Sequence, residues 1–322
     1  MAAQDQQPIG SGFGGKTTAR EIVGDQDLTG RNYIVTGGYS GIGIEAVRAL
    51  AGAGGHVTVP VRSRAKAEEA LASVAGAVTI ADMDLADLAS VRRFAADYAA
   101  SGKPLHGLIN NAGVMACPLQ RIGKEWEYQF AVCHLGHFAL TMGLERNLKS
   151  AGGARVVALS SIAHARSDIH WDDPHFYSHD YEKWTAYGQA KTANALFALG
   201  VDAHWQGDGV RAFAVHPGGI FTPLQRHLTD EEMVAMGWKA ADGTIPPAVA
   251  AMFKSPEAGT ATSIWCALSP QLEGRGGLYC EDCDVAQLAT EDSPRWAHVR
   301  PWACSEEGAA RLWDMTVAML AQ

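Results

Sequence analysis

The chain has 322 residues, 47% of them hydrophobic and 19% charged, with 26 Lys and Arg against 35 Asp and Glu. The resulting net charge of −9 argues against nucleic acid or an anionic membrane surface as a partner, and no run approaches the roughly 20 apolar residues of a membrane span. Met1 to Asp5 begin no secretory signal, and six cysteines are too sparse for a disulfide framework, so a cytoplasmic protein with reduced thiols is expected.

Residues 1–30 are polar and Gly-rich and are expected to form an arm laid over the domain rather than part of its core. Tyr33-Ile34-Val35, stopped by Thr36-Gly37-Gly38, suits a buried strand of a parallel sheet. Residues 42–53 carry apolar side chains at helical spacing and end at Gly54-Gly55. Strands are then predicted at 56–59, 78–80, 105–109, 155–159 and 211–215, with helices at 65–75, 88–100, 125–148 and 184–205 between them. This alternation predicts an α/β fold, a doubly wound parallel sheet of the Rossmann type. With no internal repeat and no low-complexity linker, one domain over 1–322 is expected. Within it lie an insertion at 163–183, a Pro-bearing lid-like segment at 223–258 and a C-terminal extension at 271–322. The insertion either covers the site or caps the sheet.

Thr36-Gly37-Gly38-Tyr39-Ser40-Gly41-Ile42-Gly43 joins the first strand to the first helix. In that context Gly37 permits a tight turn, Gly41 lets backbone approach a pyrophosphate, and Gly43 lets helix and strand pack closely. Further on, Tyr187 and Lys191 stand four apart and share a helix face. A phenol is too weak a base at neutral pH, and an adjacent ammonium favours its anion. Such a pair suits proton exchange with a hydroxyl or carbonyl oxygen.

The G-x-x-x-G-x-G spacing, Asn110-Asn111-Ala112-Gly113, Ser161, Tyr187-x-x-x-Lys191 and Pro217-Gly218 stand in the order of the short-chain dehydrogenase/reductase family. The chain resembles its single-domain branch. Ile169-His170-Trp171-Asp172-Asp173-Pro174 and the run from Tyr187 to Asn194 most resemble its retinol-dehydrogenase-like members. The resemblance implies a nicotinamide nucleotide held by Gly37, Tyr39, Ser40, Gly41, Ile42 and Gly43. Asp84 and Leu85 would stand at its adenine, and Asn111, Ala112 and Gly113 along its side. Pro217, Gly218, Ile220 and Thr222 would stand at its carboxamide end. It further implies Tyr187 as acid/base, Lys191 as its tuner and ribose anchor, and Ser161 as donor to the substrate oxygen. The chemistry would interconvert an alcohol and a ketone or aldehyde, with no metal required.

An acidic residue at the end of the second strand would select NAD(H); this place is Val61, and Arg62 follows. An Arg there meets a 2′-phosphate, so NADP(H) is favoured over NAD(H), with Arg64 and Lys66 adding charge. The family's place before the second loop glycine, often basic in NADP enzymes, holds Ser40. One family residue is missing: Cys133 stands where relatives carry an Asn whose helix distortion and carbonyl support a water relay to the Lys. That substitution motivates the alternative of a catalytically weakened nucleotide-binding sensor or scaffold. Met115 and Ile162 are expected pocket walls. Cys280-x-x-Cys283 is expected to be a relaxed tail loop, His134 and His137 packing residues, and His164 a packing residue or an edge of the site. The substrate is expected to be small and apolar. A homo-oligomer is compatible with the sequence, which reveals no interface.

Overall fold

The computed structural model describes residues 6–321. Its core is an eight-stranded sheet: β1 (Asn32–Val35), β2 (His56–Val61), β3 (Ala77–Asp82), β4 (Gly107–Asn110), β5 (Arg155–Leu159), β6 (Arg211–His216), β7 (Leu278–Glu281) and β8 (Asp284–Val285). Their spatial order is β3-β2-β1-β4-β5-β6-β7-β8, parallel throughout except for the β7–β8 hairpin. β1 therefore lies between β2 and β4, with Tyr33 opposite Val57 on one side and Gly107 on the other. The order reverses beside β1, which opens a crevice at the carboxyl ends of the strands. β4, β5 and most of β6 are buried on both faces, as their apolar runs at 107–109, 156–159 and 212–215 require.

The helix Lys183–Trp205 is buried along most of its length. Glu182 starts it by accepting from the Trp184 and Thr185 amides at 2.9 and 2.6 Å. β5 and β6 cover one side and the helix Glu306–Ala321 another. At that second contact Trp313 stacks on His204 at 4.0 Å, and Gly200 leaves room for the indole. Opposite, Trp265 of the helix Ala261–Leu268 is wholly buried, its indole N–H donating to Gln271 at 3.0 Å. Truncating such a residue to Ala costs about 3–5 kcal/mol.

Three expectations change. The 1–30 arm is in part core: Thr18 caps a short helix, Ala19–Val23, whose Ala19, Ile22 and Val23 are buried beside Trp265. The helix expected over 125–148 is broken. Arg121–Ile122 and Trp126–Glu127 form a hairpin, Tyr128–Phe130 starts a helix, Ala131–Leu135 widens into a π-turn, and Gly136–Gly143 and Glu145–Lys149 follow. Apolar periodicity survives such breaks, so it could not reveal them. The 271–322 extension also supplies β7, β8 and a sixteen-residue helix. Cys280-x-x-Cys283 is thus no relaxed loop, because Cys280 lies inside β7 and Cys283 in its turn.

Candidate active site

A cleft of about 1140 Å³ runs across the carboxyl ends of β1 to β6. At its base, Gly37 and Gly41 have φ of 66° and 53°, where side chains strain the backbone. A Cβ at Gly43 would lie 2.3 Å from the Gly37 carbonyl oxygen and 2.5 Å from Asn111 Nδ2. Ser40 begins the helix Gly41–Gly52 without a side-chain capping bond. The first-turn amides, which have no intrahelical acceptor, can meet a phosphate there.

Every cofactor residue expected from the sequence lines this one cleft: Gly37, Tyr39, Ser40, Gly41, Ile42 and Gly43, then Arg62, Asp84 and Leu85, then Asn111, Ala112 and Gly113, and finally Pro217, Gly218, Ile220 and Thr222. Arg62 bonds the Tyr128 hydroxyl, and with Asp84 and Tyr39 also nearby its guanidinium is held charged despite partial burial. Lys66 lines the same end, whereas Arg64 does not; it pairs with Asp82 at 3.1 Å.

Ser161, Tyr187 and Lys191 meet at the other end. Ser161 follows β5, its Oγ accepting from the Ala163 amide at 3.2 Å and hydrogen-bonding Tyr187. Lys191 Nζ donates to the Leu159 carbonyl at 2.9 Å and lies 5.5 Å from the Tyr187 ring centre. An ammonium carries three protons, so two remain for the cleft. Burial, with a smaller contribution from Cys133, pushes the Tyr187 phenol above its ordinary range, and burial pushes Lys191 down. The ammonium was expected to lower the phenol; here the one lowering influence is the hydrogen bond with Ser161, and desolvation outweighs it, so the phenol is held protonated.

Cys133 is fully buried in the π-turn, its thiol donating to the Val114 carbonyl at 3.6 Å. Its carbonyl accepts from His137 Nδ1 at 2.9 Å. Met115 and Ile162 line the cleft as expected. His164 is instead buried behind it, bonding the Ser161 carbonyl at 2.7 Å and accepting from the Arg300 amide at 3.0 Å. Of the 163–183 insertion, only Ala163, Ala165 and Arg166 line the cleft. Its later residues pack on the hairpin, where Arg121 donates to the His175 and Phe176 carbonyls. Among the described residues no group of His, Cys, Asp and Glu could hold a metal ion.

Of the wall around Tyr187, the sequence pointed to the 223–258 segment but not to the contacts its side chains make. Trp184 meets Tyr187 edge-on at 6.2 Å and Trp238 at 6.3 Å. Leu224, Met233 and Met236 pack against the same cluster. Arg166 lies over Trp184 at 5.2 Å. The C-terminal extension brings Arg295, Trp296 and Arg300 to the cleft. No local motif signals these residues, because tertiary packing alone brings them in.

The short chain dehydrogenase family model matches residues 31–233. A protein named "Probable oxidoreductase" from Streptomyces lividans is 44% identical over 293 residues, covering 89% of this chain and 97% of that protein. Retinol dehydrogenase 12 of Mus musculus is 36% identical over 298 residues, covering 91% of this chain and 87% of that protein. A crystal structure of an uncharacterized protein from Mycobacterium paratuberculosis superimposes with a TM-score of 0.71 at 29% identity. The match covers 94% of this chain and 97% of that one.

Proposed function

Because the chain belongs to the short-chain dehydrogenase/reductase family and resembles its retinol-dehydrogenase-like members, we propose that it is an NADP(H)-dependent oxidoreductase that interconverts an alcohol and a ketone or aldehyde. The observation that carries this reading is a single cleft with Ser161, Tyr187 and Lys191 at one end and the glycine cradle with Arg62 at the other. The cradle fits a dinucleotide because the helix Gly41–Gly52 turns uncapped first-turn amides toward the cleft beside Gly37 and Gly41. Arg62 and Lys66 would meet a 2′-phosphate, the amides after Ser40 the pyrophosphate, and Lys191 the ribose beside Tyr187. When bound, the nicotinamide supplies or accepts the hydride.

In reduction, the neutral Tyr187 hands its phenolic proton to the substrate oxygen while Ser161 donates to the same atom. In oxidation the Tyr187 phenolate, stabilised by the Lys191 ammonium, takes the hydroxyl proton and becomes the phenol. The wall of Trp184, Leu224, Met236 and Trp238 favours a substrate with an apolar body. The six unpaired cysteines suit a reducing, cytoplasmic setting, and no helix among the described residues is long and apolar enough to cross a membrane.

Titration with NADPH and NADH, followed by turnover on a panel of apolar aldehydes and ketones, tests the proposal. Tighter NADPH binding with turnover is expected. Binding without hydride transfer to any member would instead favour the sensor or scaffold, the reading that Cys133 motivates.

A further inference from the structure

His137 lies behind the cleft wall, almost wholly buried, and has no part in the chemistry above. Its Nδ1 faces the Cys133 carbonyl at 2.9 Å and its Nε2 the Thr36 hydroxyl at 2.9 Å. A carbonyl only accepts, so Nδ1 carries the ring proton and Nε2 must accept. The Thr36 hydroxyl proton therefore goes to His137 rather than to the Ile109 carbonyl, which is 3.4 Å away. The two lone pairs of that hydroxyl take the amides of Asn111 and Ala112, each at 2.9 Å. Donor and acceptors are all used. A second ring proton on Nε2 would find no lone pair free on Thr36. Burial first, and then the nearby Lys191 ammonium, hold the imidazole neutral, with its pKa lowered to about 4.

We propose that His137 is a positioning residue that fixes the Thr36 hydroxyl, and through it the Asn111–Ala112 turn, against the π-turn around Cys133. The turn is one wall of the nucleotide cleft, and the next residue, Gly113, leaves only 3.5 Å between an added Cβ and Cys133 Sγ and 3.6 Å to Lys191 Nζ. His137 thus ties the glycine-loop strand to the helix bearing Cys133, next to the lysine. The consequence for nucleotide affinity rests on the NADP(H) reading; the consequence for the turn does not.

The test uses the full chain with His137→Phe, His137→Gln and His137→Asn, read by NADPH affinity and by exchange of the Asn111 and Ala112 amides. Phe removes both bonds, and about tenfold weaker NADPH binding with faster exchange is expected. Gln places an acceptor near the Nε2 position and restores affinity to within about threefold of the parent. Asn reaches only the Cys133 carbonyl and stays near the Phe value. Thr36→Val combined with His137→Phe should be no weaker than Thr36→Val alone. Equal effects of Gln and Asn, additive losses in the double variant, or unchanged amide exchange in His137→Phe would overturn the assignment. If the parent binds no NADPH while the amides still respond, the nucleotide reading fails and the brace stands. Binding with unresponsive amides is the opposite result.

Discussion

The two ends of the cleft are built differently. The nucleotide end, over β1 to β3, is mostly backbone: turns at Gly37 and Gly41, a helix start, and the missing Cβ of Gly43. The substrate end is mostly side chain, drawn from the 163–183 insertion, the 223–258 segment and the C-terminal tail. A backbone cradle depends on a few residues at fixed spacing, and the sequence shows them. A side-chain wall depends on which distant segments pack together.

Substitutions at the two ends should separate accordingly. The largest effect is expected from Tyr187→Phe, which removes the proposed proton donor and should lower kcat by about 10²–10⁴-fold while leaving NADPH affinity within about twofold. Steady-state kinetics with a direct binding titration check this, and a parallel loss of affinity would erase the division between the ends. Next is Arg62→Ala. Losing a charge-assisted contact should cut the NADPH-over-NADH preference by about 10–100-fold with NADH binding unchanged. An unaltered ratio would remove Arg62 from cofactor choice.

Acid should also distinguish the regions. Burial lowers His137, His164 and His175 to about 4 and His134 and His216 to about 3, and all lie between 134 and 216. Their unfolded value is near 6.5, so between that pH and about 4 the unfolded chain binds more protons and stability falls as pH falls. Glu281, raised by burial to about 7, works the other way but is one carboxyl against five imidazoles, so thermal melts should decline below about pH 6.5, and hydrogen exchange should rise in 134–216 before β1 to β3. Uniform loss of protection would contradict the contrast. The smallest effect is expected from Cys133→Asn, which restores a stronger hydrogen-bonding side chain and should raise kcat by about two- to tenfold. Unchanged turnover would mean that the side chain at 133 has no part in proton supply.

The same contrast explains what could be read in advance. The strands from Tyr33 to Val215 and the glycine loop were legible because each carries its requirement in local residue types, whereas Ser161 was singled out beside Tyr187 and Lys191 only through the family resemblance. The break at Ala131–Leu135 was not legible locally, since residues 130–135 are apolar but for His134 and show no interruption; only the resemblance, which implied a helix distorted near Cys133, pointed to it. Nor was the direction of the Tyr187 shift, because four-residue spacing reveals the ammonium but not the desolvation around it. Arg64, expected to add charge beside Arg62, pairs with Asp82, eighteen residues away. Arg300 and Trp296 reach the cleft on a tail segment held by distant partners: His164 at the Arg300 amide, Glu281 at the His298 amide, and Gln287 and Ala289 at Val299.

Gln6 carries a consequence for synthesis. Its side-chain amide donates to the Tyr279 and Ala286 carbonyls at 2.7 and 2.6 Å and accepts from the Tyr279 amide at 3.0 Å. Its nearer partner is 273 residues downstream. At translation rates of about 5–20 residues per second, the N-terminal segment waits about 14–55 s for that seat to leave the ribosome. Through that interval the sheet lacks its β7–β8 edge, so exposure to chaperones and proteases is greatest before the last tenth or so of the chain has been made.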